Sequence, residues 1–320
     1  MSVIGIDTSN YTTSIAYFDG TAGENCSRLL PVRQGELGLR QSDAVFAHTK
    51  SLPELSGRLF SHIGVQKITA VGVSTRPRAV EGSYMPCFLV GYSHAKLLAE
   101  ALGVPLVGVS HQQGHVAAAL WSAGHMELMD QPHLAWHLSG GTTELLLVEP
   151  EGKNVKCTRI GGTTDISAGQ LIDRTGQLLG LPFPSGKHLD ALSSQARLGE
   201  CFKVKCADMA FSLSGVQNKV QQFHEAHGEP AETAAYALRC VAGAVCLATQ
   251  QARKAYPGLR VVFSGGVASN SLLRELTKPL DPIFAQPQFS TDNAMGVAIL
   301  ACRATEESYG TDHSVDYPVK

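Results

Sequence analysis

Charge is scarce in this 320-residue chain: 17% of residues are charged and the formal net charge is −2. A chain that gripped nucleic acid through a broad basic face of its own would carry a clear excess of lysine and arginine. Here 26 Lys+Arg stand against 28 Asp+Glu, so any nucleic-acid contact calls for help from partners. Long apolar runs are missing too. No stretch approaches the roughly 20 uninterrupted apolar residues of a membrane-spanning helix, so no membrane is expected. None of the eight cysteines forms a C-x-x-C pair, which removes the usual zinc-ribbon and redox motifs and points to reduced, packed thiols. No G-x-x-x-x-G-K-[ST] segment occurs, so a Walker A phosphate loop is excluded. The N-terminus lacks a basic stretch before its apolar one and reads as a strand entering a core, which fits a cytoplasmic enzyme.

What is present begins with apolar content of 44%, enough for a large core, against a disordered chain. Glycine is abundant, with 32 residues. The length predicts about two domains. Strands are predicted at 3–6, 14–18, 70–74, 105–109, 133–138, 144–148, 155–160 and 260–263. Helices are predicted over 43–63, 88–102, a short stretch from His111, 166–179, 187–198, 213–227, 232–256, 269–276 and 292–306. Alternation of this kind is α/β. The boundary falls near Gly124–Gln131, giving an N-terminal lobe 1–127 with a histidine pair and a C-terminal lobe 128–320. Both open with a polar-turned pair of strands, which suggests an internal duplication.

Three turns follow strands and expose backbone N–H groups: Asp7-Thr8-Ser9-Asn10, Ser139-Gly140-Gly141-Thr142 and Ser264-Gly265-Gly266-Val267. Each alone is an ordinary tight turn. Together they form anion-binding nests, the third at a helix start. Ser110-His111-Gln112-Gln113-Gly114-His115 places two histidines four apart behind the N-cap residue Ser110. On a helix they share one face and converge on one metal ion. Gln112 stands where a zinc protease needs its glutamate, so that reading fails at the general base. Asp292 supplies a third donor or, more plainly, caps the last helix.

These residues carry a resemblance that covers nearly the whole chain. Gly5-Ile6-Asp7-Thr8-Ser9, His111 to His115, Ser139 to Thr142, the Asp173-Arg174-Thr175 to Pro184-Ser185-Gly186 block, Phe211 to Gly215, Gly265 to Asn270 and Thr291-Asp292-Asn293 occur in the order of the TsaD family. That family comprises tRNA threonylcarbamoyladenosine synthases, formerly taken for O-sialoglycoprotein endopeptidases of peptidase M22 type. The resemblance implies an actin-like/Hsp70-like ATPase (ASKHA) fold of two duplicated lobes. It implies a divalent iron or zinc ion on His111, His115 and Asp292. An adenine nucleotide or adenylate would lie on Leu138, Ser139, Gly140, Gly141, Thr142, Asp173, Gly186, Asp190, Gly265, Gly266 and Asn270. Asp7, Ser139 and Thr142 fall nearest the chemistry. The implied partners are tRNA, reached through a multi-subunit complex, and a TsaB-like paralogue or a second copy bound through the N-terminal lobe.

The chain departs from the family pattern at three places. Asn10-Tyr11-Thr12 replaces Cys-Asp-Glu, Thr142 replaces a histidine, and Arg76 to Tyr84 replaces a Gly-Pro-Gly loop. These departures suit a divergent paralogue. The alternatives to a metal-dependent transferase are a non-catalytic or altered-substrate nucleotide-binding paralogue that pairs with a true family member and a small-molecule kinase using Asp165 or Asp173. A metallopeptidase ranks last.

Overall fold

The computed structural model describes residues 1–9, 11–31, 39–64 and 67–306. The chain divides into two compact units. Unit 1 is 1–131, 149–157 and 292–320; unit 2 is 132–148 and 158–291. The first crossing lies beside the expected boundary. The last helix, however, belongs with the first lobe and takes Asp292 with it, whereas the sequence placed it in the second.

Unit 1 is built on β1 (Val3–Ser9), β2 (Thr12–Phe18), β3 (Gly23–Leu29), α1 (Gln41–Ile63), β4 (Ala70–Arg76), α2 (Phe88–Leu102), β5 (Leu106–Ser110) and α3 (His111–Ala123). The sheet order is β3-β2-β1-β4-β5, with β1–β2 and β2–β3 antiparallel and β4 parallel to both β1 and β5. The polar stretch expected as a long turn between β1 and β2 is largely ladder: Asp7 pairs with Ser14, Thr8 with Thr13 and Ser9 with Thr12. Asn10 of that turn lies outside the described residues.

Unit 2 contains β6 (His133–Leu138), β7 (Thr143–Glu151), β8 (Asn154–Thr163), α4 (Ala168–Leu178), α5 (Gly186–Ser193), β9 (Cys206–Ala207), β10 (Ala210–Phe211), α6 (Ser214–His227), α7 (Pro230–Ala255), β11 (Val261–Ser264), α8 (Ser271–Thr277), β12 (Pro282–Phe284) and α9 (Pro287–Ser290). Residues 149–157, the end of β7, the 152–153 turn and the start of β8, belong to unit 1. The sheet order is β12-β11-β6-β7-β8-β10-β9. Read from β8 to β12, this repeats the order third, second, first, fourth, fifth of the first sheet, which is the mark of duplication. α7 is long and apolar enough to cross a membrane by length and composition. It is instead the core helix of unit 2, with Ala237, Leu238, Val241, Val245 and Ala248 buried against Trp136, Phe263 and Leu134.

The final helix, α10 (Met295–Thr305), closes unit 1. It fits because both surfaces are small. A Cβ at Gly5 or Gly72 would strike the backbone or side chains of Ala294, Val297, Ala298 and Ala301. Gly114 of α3 and Gly296 of α10 meet in the same way. All eight cysteines are free thiols.

Candidate functional site

The site in unit 1 begins with a helix start. The Ser110 hydroxyl accepts from the Gln113 N–H at 3.2 Å, while the Gln113 side chain accepts from the Ser110 N–H at 2.9 Å. This reciprocal capping box fixes His111 as the first helical residue and puts His115 one turn on. Their Nε2 atoms stand 2.9 Å apart. Asp292 Oδ1 lies 3.5 Å from Nε2 of His111 and 3.3 Å from Nε2 of His115. Asp292 does not cap α10. The cap residue is Ala294, which makes no side-chain cap bond, and Asn293 accepts from the Met295 N–H instead. The expected capping role for Asp292 is therefore replaced by a place among the histidines.

Behind His111 stands Asp7, fully buried on β1, with Oδ2 2.8 Å from Nδ1 of His111. Its other oxygen accepts from the Ser9 N–H at 2.9 Å, and the Ser9 hydroxyl donates to Asp292 Oδ2 at 3.3 Å. With Nδ1 engaged by Asp7, Nε2 of His111 is the ring nitrogen that faces His115 and Asp292. Burial disfavours the His111 cation, but the Asp7 and Asp292 carboxylates overcome it and raise its pKa to about 10. His115 is pushed down by burial and by the His111 charge. Burial would raise both carboxyls, yet His111 holds Asp7, and both histidines hold Asp292, below the carboxylate range. Two imidazole nitrogens and a carboxylate, all within 4.8 Å of one another, form a set suited to a borderline divalent metal. His111 and Asp292 keep 18% and 25% of their side chains exposed, so the cluster is reached by solvent on that side.

His48 of α1 is fully buried and shares a 2.8 Å hydrogen bond with Thr13 Oγ1 next to this hairpin. Burial lowers its pKa to about 4, so it packs as the neutral ring. His48 was not singled out from sequence; Ser9 was, but as part of an anion-binding turn rather than as a hydrogen-bond donor to Asp292.

In unit 2 the Ser139–Thr142 turn is closed by its own first and last residues. The Ser139 N–H donates to the Thr142 carbonyl at 2.8 Å and the Thr142 N–H to the Ser139 hydroxyl at 3.1 Å. Gly140 and Gly141 face open space. The Ser167 hydroxyl donates to the Gly140 carbonyl at 2.5 Å, and Gly169 at the start of α4 packs against Ser139 and Gly140. Ser167 and Gln170 form a second capping box, a signal that was readable as S-x-x-Q. Gly265, with φ of 93°, lies directly on the Leu138 backbone, so two of the expected glycine turns adjoin. Gly266 begins a short 3₁₀ turn that leads into α8.

Three other expected ligand contacts have structural partners. Asn270 Oδ1 caps α8 by accepting from the Leu273 N–H. Asp190 Oδ1 accepts from the Ser271 N–H and hydroxyl. Asp173 Oδ1 accepts from the Ser185 N–H at 2.8 Å beside Gly186, and burial raises its pKa. Asp165, a candidate base for a kinase, instead accepts from the hydroxyls of Ser212 and Ser214 and the N–H groups of Leu213 and Ser214. Of the arginines around these loops, Arg159 is tied to the carbonyls of Gly161 and Thr163, and Arg174 to Gln217.

A family model for TsaD, tRNA N6-adenosine threonylcarbamoyltransferase, matches residues 36–299. The chain belongs to the TsaD family. It is 29% identical over 334 aligned residues to the tRNA N6-adenosine threonylcarbamoyltransferase of Thermosipho africanus, covering 99% of this chain and 98% of the relative. The enzyme of the same name from Carboxydothermus hydrogenoformans is 32% identical over 78% of this TsaD-family chain and 75% of its own length. Among solved structures, full-length HypF in its phosphate- and nucleotide-bound form superposes with a TM-score of 0.64 at 15% identity. It covers 97% of this chain, which spans about half (47%) of HypF. That likeness is one of fold: this TsaD-family chain has the actin-like ATPase architecture expected from its motifs.

Proposed function

We propose that the chain transfers a threonylcarbamoyl group from threonylcarbamoyl-AMP to the exocyclic amine of adenosine 37 in tRNA. The amine nitrogen bonds to the carbamoyl carbon and gives up a proton. The carbon–oxygen bond to phosphate breaks, and AMP leaves. The observation that carries this reading is the convergence of His111, His115 and Asp292, with Asp292 free of any helix-capping task. A divalent iron or zinc ion there would supply Lewis acidity toward the phosphate or carbamoyl oxygens. Asp7 fixes the His111 tautomer. The N–H groups of Gly140 and Gly141, between the two that close the Ser139–Thr142 turn, suit the departing phosphate. Asp173, with Oδ1 engaged at Ser185, offers its second oxygen to a ribose hydroxyl.

The proposed partners are tRNA within a multi-subunit assembly and a TsaB-like paralogue or second copy on the N-terminal lobe. Exposed Phe46 on α1 and Leu89 and Leu97 on α2 support such a surface. Free cysteines support a cytoplasmic setting. The second reading, an altered-substrate or non-catalytic paralogue, draws on Thr142 and the Arg76–Tyr84 loop. Complementation of a strain lacking the tRNA modification, read by nucleoside analysis, separates the two. Restoration by the wild type and loss with His111→Ala/His115→Ala support transfer; no restoration with all partner subunits present overturns it in favour of the paralogue.

A further inference from the structure

A second group of metal-ligating side chains lies at the edge of the first sheet, on residues the chemistry above does not use. β3 is the edge strand, and its alternate residues Glu24, Cys26 and Arg28 share one face. The opposite face carries Asn25, whose side chain accepts from the Ala294 N–H. α1 runs along the first face with Glu54, Arg58 and His62 at four-residue intervals. Two residues of strand advance about 6.6 Å and four residues of helix about 6.0 Å, so the two series stay in step over three rungs. Arg28 pairs with Glu54 on both oxygens at 2.7 and 2.5 Å. Arg58 lies close enough to Cys26 to favour its thiolate. Glu24 Oε1 meets His62 Nδ1 at 2.5 Å.

Beyond the Arg28–Glu54 rung, the remaining donors are a carboxylate, a thiol and an imidazole, and one ligand atom from each lies within 4.8 Å of the others. Two already touch. Tetrahedral zinc with ligand bonds of about 2.0–2.3 Å holds its donors about 3.3–3.8 Å apart, so an ion entering between them parts Glu24 from His62 by about 1 Å and keeps Cys26 within reach. Cys26 is buried on the inner side while Glu24 and His62 keep 40% and 54% of their side chains exposed, so an ion has both a floor and an entry path.

We propose that Glu24, Cys26 and His62 form a second metal site, for a thiophilic divalent ion of the zinc class, with the fourth position open to water. The ion clips the last turn of α1 to the edge strand. Binding displaces the Cys26 proton, which leaves with solvent.

The test uses Co²⁺ as the probe on the full-length apoprotein. A cobalt–thiolate bond gives a near-ultraviolet charge-transfer band, which the His111, His115 and Asp292 set cannot produce because it holds no sulfur. The expected result is a stoichiometric band in the wild type and in His111→Ala/His115→Ala, silenced by Zn²⁺ and lost in Cys26→Ser. His62→Ala and Glu24→Gln, at exposed positions, weaken Co²⁺ binding by more than about tenfold without unfolding the chain. Zn²⁺ also raises the Tm of the His111→Ala/His115→Ala protein and no longer does so once His62→Ala is added. A folded wild type without the band, a band that survives Cys26→Ser, or unchanged affinity in both His62→Ala and Glu24→Gln overturns the site.

Discussion

Gly296 of α10 lies with its α-carbon against the carbonyl of Gly114 on α3, leaving no room for a methyl group between the two helices. The crossing seats the segment bearing Asp292 beside the turn bearing His111 and His115. An alanine in a helix ordinarily gains about 1 kcal/mol over glycine. Gly296→Ala is expected to do the opposite, losing on the order of 1–3 kcal/mol through overpacking against backbone. Gly114→Ala, whose new Cβ would meet the Val297 side chain at 3.3 Å, is expected to cost less. Urea unfolding of the two variants checks the order, and metal titration of Gly296→Ala should show weakened binding.

Asp7→Asn keeps the shape of the group behind His111 but removes its charge and its preference for accepting. Metal affinity at the histidine pair is expected to fall by about 10–100-fold with the fold retained. Metal titration alongside circular dichroism measures both. Unchanged affinity would mean that His111 needs no orienting carboxylate.

Gly265→Ala places a Cβ on the Leu138 carbonyl at a φ of 93°. A strained position of this kind costs about 1–3 kcal/mol. The variant is expected to lose adenylate binding before it loses its fold, because the displaced backbone belongs to the two glycine turns. Calorimetric titration with AMP at a temperature well below Tm separates the two effects.

His48 is neutral in the fold with a pKa near 4, against 6.5 when unfolded. Between those values the unfolded chain binds more protons, so stability falls as pH drops through that window, by up to ~1.4 kcal/mol per pH unit. Below pH 4 this contribution changes no further. His115, also lowered, acts in the same direction. His111, raised, contributes stability that is complete below 6.5 and lost as pH climbs toward 10. His48→Asn, which retains a group near Thr13, is expected to flatten the acid limb relative to the wild type. Urea denaturation at pH 6.5 and 4.5 gives the slopes.

Helix Phe88–Leu102 and strand His133–Leu138 were legible to the residue, because apolar periodicity and flanking glycine or proline agree there. Ser110 was legible as a cap for the same kind of local reason. β3 escaped notice because an edge strand reading Gly-Glu-Asn-Cys-Ser-Arg-Leu shows no apolar alternation; its inner face is built from ion pairs and one thiol. The ends of β1 and β2 were misread as turn, since Asp7, Thr8, Ser9, Thr12 and Thr13 are polar yet buried in ladder and side-chain hydrogen bonds. Asp292 looked like a cap because helix starts are judged locally, and its partners lie some 180 residues earlier in the chain. The histidine pair was readable from spacing alone; Asp7 behind it was visible only as a motif.

Because the first lobe is finished by α10, its assembly cannot keep pace with synthesis. When residue 131 leaves the ribosome, the small-residue face made by Gly5, Gly72 and Gly114 still lacks the helix that covers it, and His111 and His115 still lack Asp292. The second lobe, 132–148 and 158–291, has to be made before that cover arrives. A nascent chain thus lacks Asp292 and the covering helix for most of its synthesis, and a chain truncated between residues 132 and 291 carries a first lobe with an open seam, a natural substrate for chaperones and proteases.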